Sequence, residues 1–475
     1  MSIHTALLPV FVFLALAATG ARAASLDPAS FNAAVGVQLD VCAAATISGA
    51  LRYVSPTGDD DAADGSAAHP YKTVYRAVQD AQPGETVVLR QGTYVEPLEP
   101  RVTQPNVTIR SQPGEWAVVD RRTGGEEDSG IYFYVDADGG ALECLEVVGG
   151  FYAVSIETRW DWGDPDDRTG ASHIRLENAK LHGSSRDVVK IKPNCDDVTI
   201  RHCEIYDSGQ GQDPTDCNAE GIDNVNGDRT IVAYNHIHDI CSTGVYLKGG
   251  ATDGLIEYNR IERVGAAGIL LGFDTSPEYF DLTANPGYYE NIRGVARHNL
   301  VVDAKWAGIG FYAAKDAKAY ANTIAQTAQT YHSPIYFGVT YQDWDPDAGR
   351  PASTGVAVYG NIAAQPGTLS QPLAGIRYSS DLGGLSGLSG KLDIHDQCYW
   401  REAGAAMFED GRTSFLGDFA AWRSHIGAEA GSVEENPLFD AQYKPGNPAC
   451  ADKGHLAVAG GAQPAARLLL PGEEP

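Results

Sequence analysis

Thr243-Gly-Val-Tyr-Leu-Lys248 reads as a short strand, and five other segments of the chain can be written beneath it. They are Asp187-Val-Val-Lys-Ile-Lys192, Glu220-Gly-Ile-Asp-Asn-Val225, Ala267-Gly-Ile-Leu-Leu-Gly272, Ala307-Gly-Ile-Gly-Phe-Tyr312 and Ser333-Pro-Ile-Tyr-Phe-Gly338. The third and fifth places are apolar almost throughout, as in Val189/Ile191, Val245/Leu247, Ile269/Leu271, Ile309/Phe311 and Ile335/Phe337. Alternation with a period of two marks a strand with one buried face. Places four and six then look outward.

A second column follows, with Asn at Asn178, Asn235, Asn259, Asn299, Asn322 and Asn361 and Cys203 in the same place. The steps from 178 to 203, 235 to 259 and 299 to 322 are 25, 24 and 23 residues. Self-similarity at that period is the mark of a stacked coil in which each turn pairs with its neighbours. Short β-rich segments, frequent Gly and the lack of helical periodicity select an all-β right-handed parallel β-helix, with the Asn side chains forming an amide ladder inside a turn.

Working outward, a run of apolar residues over 7–18 followed by Ala21-Arg-Ala23 predicts a signal peptide over 1–23 and a secreted or periplasmic protein. No other segment is apolar enough to span a bilayer. Eight cysteines without a CxxC pair predict disulfides rather than a zinc site, with Cys217–Cys241 and Cys398–Cys450 as the expected pairs. A formal charge of −27 argues against nucleic acid as a partner, because a phosphate backbone requires a basic footprint. A monomer is expected.

Residues 24–52 read as an irregular leader, 53–455 as the β-helix, and 456–475 as a tail. Within the β-helix, 53–94 forms an N-terminal cap and 366–455 a less regular set of final coils. Val74, Ala77, Val78 and Ala81 lie on one face of a helix predicted over 73–81, which would close the open end of the coil. Three insertions, at about 158–172, 274–291 and 340–354, leave the first column at the same edge. They carry Arg159, Trp160, Trp162, Tyr279, Tyr288, Tyr289, Tyr341 and Trp344, and aromatic loops beside an exposed strand face fit a sugar groove or simply pack onto the coil.

Neighbouring strands of a parallel sheet stand about 4.8 Å apart. Glu157, Lys190, Lys192, Asp223, Tyr246 and Lys248 should therefore share one outward patch, with Asp187 and Glu220 at its edge. Such a set suits β-elimination on a uronic-acid polymer, which requires neutralisation of the sugar carboxylate, a base for the C5 proton and a proton for the leaving oxygen. Lys190, Lys192 and Lys248 would lower one another's pKa, making Lys192 or Lys248 the base. Asp187, Glu220 and Asp223 could hold Ca²⁺, and Tyr246 would donate the proton. Glu157, Arg159, Trp160, Tyr312 and Tyr336 would line the sugar. The plainer alternative is a face of interleaved surface charges.

Tyr53 to Tyr94, with Tyr53-Val-Ser-Pro56, Asp64-Gly-Ser66, His69-Pro70, Lys72-Thr73 and Gly92-Thr-Tyr94, resembles the N-terminal cap of many secreted parallel β-helix proteins. Asn436-Pro-Leu-Phe439 and Lys444-Pro-Gly-Asn-Pro-Ala449 resemble their closing phrase. Asp187 to Lys192 resembles the signature of the chondroitinase B and alginate lyase family, which implies a calcium ligand at Asp187 and the base at Lys192. That family has Ser or Thr where Lys190 stands, and its catalytic Arg would fall on Val225. Val245 to Gly250 is similar to a pectate lyase phrase whose base would fall on Tyr246, with Lys248 two residues on. The resemblances imply a polysaccharide lyase acting on an acidic glycan. A glycoside hydrolase using Asp223 with Glu157 or Glu220, and a non-catalytic carbohydrate-binding protein, remain the alternatives.

Overall fold

A computed structural model of the chain describes residues 28–159, 167–340 and 349–457. The expected signal peptide, Trp160, Trp162, Tyr341, Trp344 and the tail beyond 457 lie outside the described residues.

Three twelve-stranded sheets run side by side along the coil, parallel except for a closing antiparallel pair. The first column forms the third sheet, through Val154–Ile156, Val189–Ile191, Ile222–Val225, Val245–Lys248, Ile269–Leu271, Ile309–Tyr312 and Ile335–Gly338. Its register stacks Ser155, Lys190, Asp223, Tyr246, Leu270, Gly310 and Tyr336 in one row, as the alignment of the six segments requires. The alternate places point inward: Val189, Ile191, Val245, Leu247, Ile269, Leu271, Ile309 and Phe311 have no exposed surface. Each such side chain contributes about 1.5–3 kcal/mol by leaving water, so a one-residue slip of register would forfeit a whole coil's contribution.

The amide ladder runs between the first and second sheets. The Cys203 N–H donates to Asn235 Oδ1 at 2.9 Å, and the Asn235, Asn259, Asn299 and Asn322 N–H groups each donate to the next Asn Oδ1 at 2.9–3.0 Å. Gln397 and Ser432 extend it. Asn178 is not a member. Glu177 pairs with Arg201, a step of 24 residues, so the ladder place in that coil belongs to Ala179. Asn178 occupies the preceding left-handed place (φ 53°), which His202, Tyr234, Tyr258 and His298 fill in the following coils. Their rings stack outside the coil at 5.2, 5.1 and 4.8 Å.

Both ends are closed by helices. Val74–Asp80 is capped by Thr73, whose side chain accepts from the Arg76 N–H, and buries Val74, Ala77 and Val78. At the far end Phe419–Ile426, unmarked in the sequence reading, runs from an Asp418 cap to Gly427 (φ 62°) and buries Trp422 completely. The leader is not irregular: Pro28–Ala34 and Leu39–Ala44 are helical. The first lies against the stacked rings, where His202 Nδ1 meets the Ala34 carbonyl at 2.8 Å, and Cys42–Cys144 anchors the second. Cys217–Cys241 and Cys398–Cys450 pair as expected, and Cys195 and Cys203 are buried thiols. Leu456, expected in the tail, packs with Phe31, Leu300 and Val302.

Candidate active site

The outward row of the third sheet brings opposite charges together under cover. Lys190 Nζ bonds Asp223 Oδ2 and lies 3.4 Å from Asp187 Oδ2, while Lys248 Nζ stands 3.6 Å from Asp223 Oδ1. Asp187, Glu220 and Asp223 are buried, and one oxygen of each lies within 4.8 Å of the others. The Glu220 N–H donates to Asp187 Oδ1 at 3.1 Å, and Ser242 Oγ donates to Glu220 Oε1 at 2.8 Å. Asp187 Oδ2 and Asp223 Oδ1 are buried without a hydrogen-bond partner. Three convergent carboxyls, two of whose oxygens face lysine amines at 3.4 and 3.6 Å without a hydrogen bond, form an all-oxygen donor set, the kind that suits a hard divalent cation.

Burial sets the protonation states. It opposes charge on Lys190, yet Asp223 and Asp187 outweigh it and hold the ammonium well above the ordinary lysine range. Burial and the neighbouring Asp187 and Asp223 push Glu220 well above the carboxylate range. Burial also opposes charge on Asp223, but Lys190 and Lys248 together keep it below its usual value. The expectation that the three lysines depress one another is therefore wrong for Lys190, because each lysine faces a carboxylate instead. Lys192 Nζ pairs with Glu157 Oε1 at 2.8 Å, and Ser155 Oγ donates to the same oxygen at 2.6 Å. Lys190 is a fixed cation, not a base.

Several outward places are covered. Tyr246, expected to donate a proton, is 4 % exposed, with its ring stacked on Phe273 at 5.1 Å. Tyr312 and Tyr336, expected to line the sugar, are 4 % and 8 % exposed and belong to the same apolar cluster, with Leu270, Ala267 and Ala307. The reason is local: Leu270 and Gly310 stand in the outward row, so from Tyr246 onward that face is apolar and aromatics close over it. Arg159 is tied to Asp136 at 3.0 Å on a half-exposed surface. Glu157, Lys190, Lys192, Asp187, Glu220, Asp223 and Lys248 are assembled as the spacing predicts, and Tyr246, though covered, lies among them with its ring 4.5 Å from Lys248 Nζ. Unforeseen in the sequence reading is Tyr152, whose ring lies 6.0 Å from Lys190 Nζ. Its place just ahead of Val154–Ile156 was the available signal.

The insertions do gather at one edge. Arg168 and Asp281 join the first to the second at 3.4 Å. Arg350 and Glu290, 3 % and 0 % exposed, join the third to the second at 3.0 Å, with the guanidinium over Phe280 and Tyr288. Asn226 Nδ2 donates to the Tyr279 carbonyl at 2.6 Å. Burial raises the Tyr279 phenol, with the charges of Glu278 and Asp223 acting in the same direction and Lys190 against them.

A family model described as a right-handed beta helix region matches residues 168–330, and one described as a protein of unknown function, DUF1565, matches 56–101. Pectate lyase PEL9 of Emericella nidulans is 32% identical over 122 residues, 22% of this chain. The match spans 28% of that relative's length. Among solved structures, pectate lyase Pel9A is 15% identical with a TM-score of 0.46, over 69% of this chain and 78% of its own. The A-module of mannuronan C-5 epimerase AlgE4 from Azotobacter vinelandii is 13% identical with a TM-score of 0.43, over 74% and 91%. The chain is a right-handed parallel β-helix protein.

Proposed function

We propose that the protein is an exported polysaccharide lyase that cleaves a uronic-acid-containing glycan by β-elimination at the Asp187, Glu220, Asp223 and Lys248 cluster. The observation that carries this is the convergence of three buried carboxyls, two with oxygens that accept no hydrogen bond, on two lysines. Asp187, Glu220 and Asp223 would hold Ca²⁺, which when bound supplies positive charge to neutralise the sugar carboxylate and acidify the proton beside it.

Lys248, as the neutral amine, takes the C5 proton on its lone pair and becomes the ammonium. It shares Asp223 with Lys190, and at 3.6 Å its amine is not committed to a hydrogen bond there. Lys190 holds Asp223 in place and keeps cationic charge beside the sugar. Lys192, paired with Glu157 one strand away, binds the neighbouring sugar's carboxylate in this reading. Tyr152 and Tyr279 reach the rim of the cluster. Burial pushes Tyr152 up to about 12 and raises Tyr279 too, so either phenol keeps a proton to return to the leaving oxygen.

Hydrolysis would instead use two carboxyls about 5–5.5 Å or 6.5–9.5 Å apart, for which Asp223 with Glu157 or Glu220 is the available pair.

Incubation with alginate, pectate and glycosaminoglycans, with and without calcium, should yield unsaturated uronate ends that absorb in the ultraviolet. Lys248→Ala should reduce the rate by about a hundred- to ten-thousand-fold. New reducing ends without ultraviolet absorbance would establish hydrolysis, and no product from any polymer would remove the catalytic reading.

A further inference from the structure

We propose that the open cleft at the edge of the third sheet opposite the long loops is a second sugar subsite, in which Arg186 takes a uronate carboxylate and Phe151 the face of its ring. This rests on the reading of the cluster as a site for an acidic glycan. The cleft, of about 900 Å³, lies between residues 121–126 and 207–212 above Phe151 and Arg186.

Continuity with the cluster is the first argument. Arg186 directly precedes Asp187 in the chain. Tyr152, 6.0 Å from Lys190 Nζ, meets Phe151 edge to face at 4.8 Å, and the Arg186 guanidinium lies 5.6 Å from the Phe151 ring. Lys190, Tyr152, Phe151 and Arg186 thus form an unbroken path of alternating charge and ring from the proposed reaction centre into the cleft. Pyranose rings present an apolar face to such rings, and a guanidinium fork matches a carboxylate.

Charge is the second argument. Arg121 is committed to Asp128 at 2.6 Å and to the Glu96 carbonyl at 2.7 Å, and Arg122 to both oxygens of Asp120. Arg186 has no ion pair among the described residues, and its Nε is buried without a partner. The carboxylates that line the cleft, Glu126 and Asp207, are exposed at its rim. An unpaired guanidinium in a chain of charge −27 is an anion site in search of its anion.

The far wall is also prepared for binding. Cys217–Cys241 staples its loop, Gln212 Nε2 donates to the Ser185 carbonyl at 2.5 Å, and the Gln210 N–H donates to the Ser184 carbonyl at 2.9 Å. A wall already ordered spares the sugar an entropy cost on binding.

Calorimetric titration of the full chain with trigalacturonate, trimannuronate and triguluronate tests the subsite without requiring turnover. At least one trimer should bind, Arg186→Gln should weaken it about ten- to hundredfold, and Phe151→Ala should weaken it severalfold. The methyl-esterified form of that trimer should bind both the parent and Arg186→Gln with the same, weaker affinity. Thermal unfolding of Arg186→Gln should lie close to the parent, because the side chain has no ion pair to lose and only its contact with the Phe151 ring is given up. Equal binding of the acidic trimer by parent and Arg186→Gln, or no binding of any trimer, overturns the proposal. Binding through Arg186 with no unsaturated product from any polymer would instead refute the lyase reading and leave the subsite standing.

Discussion

Glu290→Gln should free the second and third insertions from the coil while leaving the β-helix intact. Glu290 has no exposed surface and accepts four hydrogen bonds: from Gly249 N–H at 2.9 Å, Thr275 N–H at 3.1 Å, Thr275 Oγ at 2.7 Å and Arg350 Nε at 3.0 Å. An amide turns one acceptor oxygen into a donor: at the Oε1 place it opposes the Thr275 N–H and Arg350 Nε, and at the Oε2 place it opposes the Gly249 N–H while the Thr275 hydroxyl turns to accept. It also leaves Arg350, 3 % exposed, as a buried cation with no counter-charge. Breaking such a pair costs about 3–5 kcal/mol. Because the clamp ties loops rather than coils, the loss should appear as local opening. Hydrogen exchange of 274–291 and 349–354 should accelerate by about two to three and a half orders of magnitude, since each 1.4 kcal/mol is about tenfold, while amides of the Val245–Lys248 strand keep their protection. The double variant Glu290→Gln/Arg350→Met should recover part of the loss, as coupled sites do. Unchanged loop exchange in Glu290→Gln, or strictly additive effects, would show that the pair does not hold the loops.

Asn299→Ala removes the acceptor of the Asn259 N–H and the donor to the Ile256 carbonyl, so chemical denaturation should show a loss of about 2–4 kcal/mol. Burial, with His298 and Arg260 nearby, lowers His455 to about 3 from 6.5. The unfolded chain therefore takes the proton first, and stability is lost as pH falls from 6.5 towards 3, by about 2 kcal/mol at pH 5. The protection factors of the amides of 454–457, with the intrinsic rate at each pH divided out, should fall on acidification, and those of a His455→Gln variant should be flat over the same range. Asp223→Asn should abolish calcium-dependent stabilisation, which in the parent should reach about 2.7 kcal/mol at a hundred times the dissociation constant by thermal melting.

The column of apolar places was legible because a solenoid writes its pairing into the chain: each strand meets its counterpart one turn later, so alignment on paper is alignment in space. The stacking of Lys190 on Asp223 and the paired cysteines 217 and 241 follow from that. Asn178 was misplaced because Asn serves both the inward ladder and the adjacent left-handed turn, and composition does not separate the two. Helix Phe419–Ile426 escaped because its burial is set by the last coil, not by a strong periodicity of its own.

The sequence alone determined the fold, the direction in which each side chain of the third sheet points, and the seven charged residues that meet on it. Tertiary structure decided which of them face water, which carry charge and which are already partnered. A strand's period fixes only inward and outward, whereas cover comes from residues remote in the chain: Phe273 over Tyr246, Asp187 and Asp223 around Lys190, and Phe151 beneath Arg186.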